Sequence, residues 1–161
     1  MKQDRFLLGI LIGIAILVLL ALLVFFLRPD GLQYSADDTT PEGVVRNFIV
    51  AIHLQDYQKA YDYLAEDDYK PTFDQFSQPF QLKYITPADS GIEIVGASIS
   101  GERATAQVSV IYNARDPFAG SYRSSDQAVL ILQSGQWKIR QMPYPFWYYG
   151  WYQEPYEEFR P

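Results

Sequence analysis

The sequence predicts an α+β domain that follows an amino-terminal transmembrane helix. Residues 6–27 form one uncharged apolar run. Residues 40–84 repeat apolar side chains every three or four positions, as amphipathic helices do. From Gly91 to Arg140 the apolar period changes to two, which is typical of strands buried on one face. We therefore expect about three helices followed by about four antiparallel strands joined as a meander.

The run from Phe6 to Leu27 is predicted to cross a bilayer. As a helix it would be about 33 Å long, close to the roughly 30 Å hydrocarbon core. It has no polar face, which argues against a buried core helix, and it exceeds the apolar stretch of a cleavable signal. Gly9 and Gly13 have the small-xxx-small spacing of helix–helix contacts, although glycine is also common in membrane helices by composition.

The charges that flank this run predict its orientation. Lys2 and Arg5 precede it, whereas Asp30, Asp37 and Asp38 follow Arg28. Because positive residues stay on the cytoplasmic side, residues 1–5 are expected in the cytoplasm and the domain on the periplasmic or cell-surface side of the cell membrane.

Composition excludes several classes of function. The net charge of −6 argues against nucleic acid and anionic headgroups as primary partners, since both require clustered Lys and Arg. The absence of cysteine excludes disulfides, thiolate metal sites, cysteine nucleophiles and lipidated cysteines. The single histidine excludes a multi-histidine metal centre. We expect no cofactor and no metal.

Residues 28–39 are predicted to be a linker, and the helices follow it. Thr40 can cap the first helix, with Pro41 in the first helical position. A second amphipathic stretch runs from Tyr57 to Leu64 and a shorter helix from Thr72 to Tyr84. The run Glu66-Asp67-Asp68 lacks the spacing of a calcium loop and is expected to be a solvated turn.

The predicted strands lie between clear turn signals. Ile92–Ile99 is followed by a turn at Ser100-Gly101-Glu102, and Ala104–Tyr112 alternates strictly between apolar and polar residues. A loop is predicted at residues 113–120. Two further strands follow it: Gln127–Gln133, which is expected to be covered on both faces, and Trp137–Arg140.

Four segments of the predicted domain resemble nuclear transport factor 2-like domains, which have a cystatin-like cone fold. They are TPEGVVRNFI from Thr40, LQDYQKAY from Leu54, GERATAQV from Gly101 and GQWKI from Gly135. The resemblance covers residues 40–142 and implies a cone in which a strongly curved sheet wraps around the helices. It implies a membrane-anchored member of unknown function. The fold alone does not indicate an activity, because it hosts enzymes, binding modules and assembly subunits alike.

Enzymes of this superfamily use a carboxylate, histidine or tyrosine inside the cone. His53 and Asp56 are the candidates here, as a general base and its orienting acid. The alternative is a partly exposed histidine near a helix end. No position completes a catalytic set of the family, so we interpret the domain as non-catalytic.

The carboxyl-terminal tail, residues 143–161, is unusually aromatic. Three interpretations remain open for it: it completes the core of the monomer, it rests in the bilayer interface, or it docks onto a partner. The residues assigned to partner contact are Tyr144, Phe146, Trp147, Tyr148, Tyr149, Trp151, Tyr152, Tyr156 and Phe159.

These observations lead to one functional hypothesis and two alternatives. The hypothesis is a non-enzymatic, single-pass accessory or assembly subunit of a membrane or envelope complex of the secretion, respiratory or photosynthetic type. Its partners would be the bilayer, through its span, and other subunits of the complex. The alternatives are a module that binds a small apolar ligand in the cone cavity and an isomerase- or dehydratase-like enzyme.

Overall fold

The computed structural model describes residues 3–27, 33–35, 37–112 and 120–153. It divides into two units, residues 1–31 and residues 32–161, which are described separately. The first unit contains helix α1, Gln3–Leu27, whose side chains are described from residue 7 to residue 23.

A helix is therefore present over the predicted span, but its membrane insertion gains no support from the structure. Within the described residues, no helix combines the length and the apolar character that crossing a membrane requires. Apart from the nearby backbone of the helix itself, a Cβ atom at Gly9 or Gly13 would meet no atom of the described residues within 4 Å. Their role as a contact between helices stays a prediction.

The helices of the second unit begin where the sequence predicts. Helix α2, Pro41–His53, is capped by Thr40, whose Oγ1 accepts a hydrogen bond from the Gly43 amide at 3.2 Å. Helix α3, Tyr57–Asp62, is capped by the Asp56 carboxylate. Helix α4, Phe73–Gln81, has a capping box between Thr72 and Gln75 and ends three residues before the predicted Tyr84. A single 3-10 turn follows at Pro87–Asp89.

Four antiparallel strands then form one sheet in the order of the sequence. They are β1, Gly91–Ser100; β2, Arg103–Tyr112; β3, Tyr122–Gln133; and β4, Gln136–Gln141. The predicted α+β class and the meander are confirmed. Strand β3 begins five residues before the predicted Gln127, because its polar first half pairs with β2 from Tyr112 to Val108 and shows no apolar alternation. The outer face of its second half is half-buried rather than fully covered.

Helix α2 packs across β1, β2 and β4 and forms the centre of the core. The side chains on the inner face of the sheet are small where α2 approaches it. Three of them are the buried alanines Ala104, Ala106 and Ala128, and Ala106 lies directly opposite Ala128. Larger side chains from both layers fill the remaining space, among them Phe48, Phe76 and Leu130, none of which is exposed. Alternation in β2 therefore sets both the buried face and the depth at which α2 can sit.

The two edges of the sheet differ. At the β4 edge, residues 63–65 add a short parallel pairing, with the Ala65 amide donating to the Ile139 carbonyl and the Ile139 amide donating to the Tyr63 carbonyl, each at 2.8 Å. Strand β1 forms the other edge of the sheet. Its pairing is interrupted by a bulge between Ile94 and Gly96, a device that limits pairing of edge strands with other chains.

We expect Gly43→Ala to destabilise the domain, although alanine is the better helix former by about 1 kcal/mol. A Cβ atom at Gly43 would overlap the backbone carbonyl of Asp37, so either α2 or the preceding segment must move. The expected cost is about 1–3 kcal/mol. Gly96→Ala is the control, because a Cβ atom there meets nothing within 4 Å. Thermal unfolding of both variants measures the difference, and equal melting temperatures would contradict the expectation.

Candidate functional site

The first part of the aromatic tail folds back into the core of the domain. Phe146, Trp147 and Trp151 are each at most 4% exposed. The Trp151 ring contacts Phe76 of α4 at a centroid distance of 4.7 Å and meets Trp147 edge-on at 4.9 Å. The indole N–H of Trp151 donates a 3.1 Å hydrogen bond to the Gln75 carbonyl, so the polar atom of this ring is satisfied. Core completion, one of the three interpretations of the tail, therefore applies to these residues.

Tyr152 fastens the end of this segment to the rest of the domain. Its ring stacks on Trp147, with 5° between the ring planes, and its hydroxyl donates a 2.6 Å hydrogen bond to the Ala65 carbonyl. The Arg140 guanidinium lies over the same ring at 4.1 Å. Burial raises the pKa of the Tyr152 phenol above its ordinary value of about 10, and the nearby Arg140 only partly opposes this.

This raised pKa predicts a loss of stability in alkali. The folded state favours the neutral phenol, so the stabilisation is complete below about pH 10 and is lost as the pH rises further. We expect the melting temperature of the full chain to fall above about pH 10 and Tyr152→Phe to flatten that fall. Tyr149→Phe, at an exposed ring of the same segment, is the control. Identical pH profiles for both variants would contradict the assignment to Tyr152.

The other tail residues predicted to contact a partner differ in exposure. Tyr144, Tyr148 and Tyr149 are 43%, 38% and 60% exposed, so their rings are accessible to another molecule. Tyr152 is partly buried, and Tyr156 and Phe159 lie outside the described residues. Among the aromatic residues in the described part of the tail, the exposed rings are therefore those of tyrosines, because the phenylalanine and the two tryptophans are in the core.

The folded tail and α4 together form a surface groove with a volume of about 260 Å³. We call it the tyrosine groove and define it by Tyr69, Gln78, Pro79, Tyr84, Tyr148 and Trp151. Among the described residues that line it, none is charged. Tyr69 and Tyr84 are 39% and 63% exposed, and the Tyr84 ring stacks near Tyr148 at a centroid distance of 6.5 Å. Trp151 forms its buried floor.

The sequence does not single out the groove residues outside the tail. Tyr69 follows the acidic turn and belongs to no periodic pattern, whereas the sequence places Tyr84 at the end of the predicted helix and gives no sign that it lines a groove. Pro79 lies in the interior of α4, where the apolar spacing predicts residues of the core and not of a surface groove. The only sequence signal for the groove is the surplus of aromatic residues in the tail. It indicates the wall that the tail forms and gives no indication of the wall formed by α4 and the residues that flank it.

His53 is the last residue of α2 and Asp56 is the N-cap of α3, and their role as a catalytic pair stays a prediction. The Asp56 carboxylate caps α3 through the Lys59 amide at 3.2 Å and accepts a 3.3 Å hydrogen bond from the Tyr34 hydroxyl. Both carboxylate oxygens therefore have structural roles. His53 is half-buried, and its ring meets Phe146 edge-on at 5.5 Å.

His53 also lines a separate pocket of about 400 Å³ at the carboxyl ends of α2 and α4. Tyr57, Lys83 and Asp89 contribute to this pocket, together with apolar side chains such as Ile52 and Phe80. Burial raises the pKa of the Tyr57 phenol, which keeps it neutral in ordinary conditions. The pocket has mixed polar and apolar walls and lies apart from the tyrosine groove, with which it shares no lining residue.

The acidic run forms the turn expected of it. The Asp67 carboxylate accepts a hydrogen bond from the Tyr69 amide at 2.9 Å and pairs with Arg140 at 3.2 Å, and Glu66 pairs with Lys70 at 2.7 Å. In the described ranges, no three acidic or histidine side chains are grouped so that they could hold a metal ion.

Comparison with known proteins gives only partial similarities. Neither a protein-family model nor a curated protein matches the chain. A SEC-C motif-containing protein from Rhodopseudomonas palustris has a TM-score of 0.47 and 15% identity, covering 65% of this chain and 78% of its own. A Campylobacter jejuni protein, described as a nuclear transport factor 2-like transpeptidase, has a TM-score of 0.44 and 18% identity, with coverages of 64% and 99%.

A third structure is a cystatin-fold protein from Novosphingobium aromaticivorans, with a TM-score of 0.42, 14% identity and coverages of 60% and 92%. Two of these descriptions name the folds that the sequence resembles. Because all three TM-scores lie below 0.5, we base no assignment of family or activity on them.

Proposed function

We propose that the protein is a non-enzymatic, membrane-anchored accessory or assembly subunit that binds another protein through the tyrosine groove. The observation that carries this proposal is the exposure of Tyr69, Tyr84 and Tyr148 around one groove whose described lining residues carry no charge. Tyrosine and tryptophan supply most of the binding energy in many protein interfaces, because each combines an apolar ring with a polar group that can form a hydrogen bond.

The charge of the domain supports the groove as the contact. The chain is acidic, with a net charge of −6, whereas the lining residues that the structure describes are all uncharged. The centre of a protein interface is typically depleted of charge, because desolvating an unpaired ion is costly. The groove therefore offers a partner aromatic and amide surface without that cost.

A non-enzymatic role is favoured by the functions that the candidate catalytic residues already serve. Asp56 caps a helix and binds Tyr34, and the ring of His53 packs on Phe146. The alternative of an apolar ligand in the interior of the domain is disfavoured, because the large side chains of Phe48, Phe76 and Phe146 are all buried there.

The membrane anchor in this proposal rests on the sequence. Residues 6–27 contain no charged side chain, and Lys2 and Arg5 precede them, which favours a cytoplasmic amino terminus. The bilayer and the other subunits of a membrane complex are the proposed partners.

The docking role can be tested by native mass analysis of the full chain extracted in mild detergent. We expect a larger assembly that loses a member in the double variant Tyr69→Ala/Tyr84→Ala. Tyr122→Ala is the matched control, because Tyr122 is 65% exposed, nearly the same as Tyr84, and lies on the sheet away from the groove. A lone chain from the unaltered protein would overturn the proposal, as would equal loss of the partner in the control.

The proposed topology can be tested by thiol labelling, since the chain has no cysteine of its own. Ser98→Cys places one thiol on the exposed face of β1, and Gln3→Cys places one before the apolar run. We expect an impermeant maleimide to label the first variant in intact cells and the second only after permeabilisation. Labelling of both, or of neither, in intact cells would contradict the proposed orientation.

A further inference from the structure

We propose that the segment bound in the tyrosine groove is an uncharged, proline-rich stretch of the partner in the polyproline II conformation. This inference rests on the proposed docking function and specifies the chemistry of its partner. It follows from three properties of the groove: the arrangement of its rings, the hydrogen-bonding groups beside them, and its small size.

The rings present flat apolar faces along the groove. Tyr148 stacks near Tyr84, with 26° between the ring planes, and meets Trp151 edge-on at 6.2 Å. A Cβ atom at Gly150 would collide with the Tyr148 ring, so that ring packs directly on the backbone of Gly150. Flat aromatic faces held apart in this way are the surface on which pyrrolidine rings pack in polyproline recognition.

The polar groups of the groove complement the backbone of such a segment. A polyproline II strand has no internal hydrogen bonds, so its carbonyl oxygens need external donors. The Gln78 amide and the hydroxyls of Tyr84 and Tyr148 are exposed donors, and none of them is hydrogen-bonded to another described residue. The described lining of the groove offers no cation to an acidic peptide and no carboxylate to a basic one.

The size of the groove favours the same occupant. Its volume of about 260 Å³ is below the usual range for ligand pockets, roughly 300–1,000 Å³. A shallow site of this kind gains little contact energy, so it suits a ligand that loses little conformational entropy on binding. Polyproline II segments meet this requirement because they are already extended before they bind.

The test uses end-blocked octaproline, which is not fluorescent, titrated into the full chain in detergent while tryptophan emission is recorded. Trp151 at the floor of the groove provides the signal. We expect saturable binding with a dissociation constant below about 1 mM. Tyr84→Ala should weaken it about tenfold. Gly150→Ala, which displaces the Tyr148 ring, should also weaken it, and Tyr122→Ala should leave it unchanged.

Two results would overturn the inference. One is the absence of saturation by octaproline, or equal binding of a glycine–serine octapeptide; the docking function would still stand if the Tyr69→Ala/Tyr84→Ala variant loses its partner in native mass analysis. The other is a gain of more than about tenfold in octaproline affinity when the chain ends at Gln153. That gain would mean that residues 154–161, which include two prolines, occupy the groove in place of a partner.

Discussion

A chain that ends at Met142 is expected not to fold its domain. It lacks Phe146, Trp147 and Trp151, all buried, and it exposes the faces of Phe76 and Phe80 that pack against Trp151. Removing a buried phenylalanine or tryptophan side chain costs about 3–5 kcal/mol, so three of them remove about 10 kcal/mol. This equals the whole stability of a typical domain, about 5–15 kcal/mol.

The matched control is a chain that ends at Gln153, which retains every aromatic residue of the described part of the tail. We expect it to show the cooperative thermal transition and near-ultraviolet circular dichroism of the full chain, whereas the shorter chain shows neither. A cooperative transition in the chain that ends at Met142 would mean that the folded-back segment is only a surface addition.

The largest effect of a single substitution is expected for Phe76→Ala. Phe76 is not exposed, and its ring contacts Phe48, Tyr61, Phe80 and Trp151, which come from α2, α3, α4 and the tail. The substitution removes all these contacts at once and leaves a cavity, which lowers the free energy of unfolding by about 3–5 kcal/mol. For a domain of this size, that lowers the melting temperature by more than about 10 °C.

Phe73→Ala provides the comparison within the same helix. Phe73 lies one turn earlier, is 37% exposed and contacts the edge of the Tyr61 ring. We expect it to cost less than about 1 kcal/mol. Thermal or urea unfolding of the two variants measures the difference. Similar losses of stability would show that the aromatic cluster is not the centre of the core.

Much of the fold could be predicted because local rules and tertiary packing agree. Thr40 and Pro41 set the start of α2 by capping and by a fixed φ angle, and α2 begins there in the structure. The alternation of β2 fixes its inner face, since a shift by one residue would expose every alanine and valine that packs on α2. The first half of β3 could not be predicted, because its pairing with β2 depends on backbone hydrogen bonds that any side chain permits.

The candidate site shows the opposite case. The composition of the tail indicated an important segment, but Pro143, Pro145 and Gly150 prevent a regular period, so no pattern separates buried rings from exposed ones. Trp151 is buried only because α4 supplies Phe76 and the Gln75 carbonyl, about 75 residues away in the chain. The tyrosine groove arises from that distant pairing, which sequence spacing alone does not encode.

The bond between the Tyr152 hydroxyl and the Ala65 carbonyl, which spans 87 residues, has a consequence for biosynthesis. While a ribosome is still making β3, the apolar faces of α2 and α4 have already left it and have neither β4 nor the tail to cover them. The domain can therefore complete its core only after the last tryptophan has emerged. Until then the nascent chain presents aromatic surface of the kind that chaperones bind. Synthesis that stops at β4 would release a chain with its inner aromatic layer still uncovered.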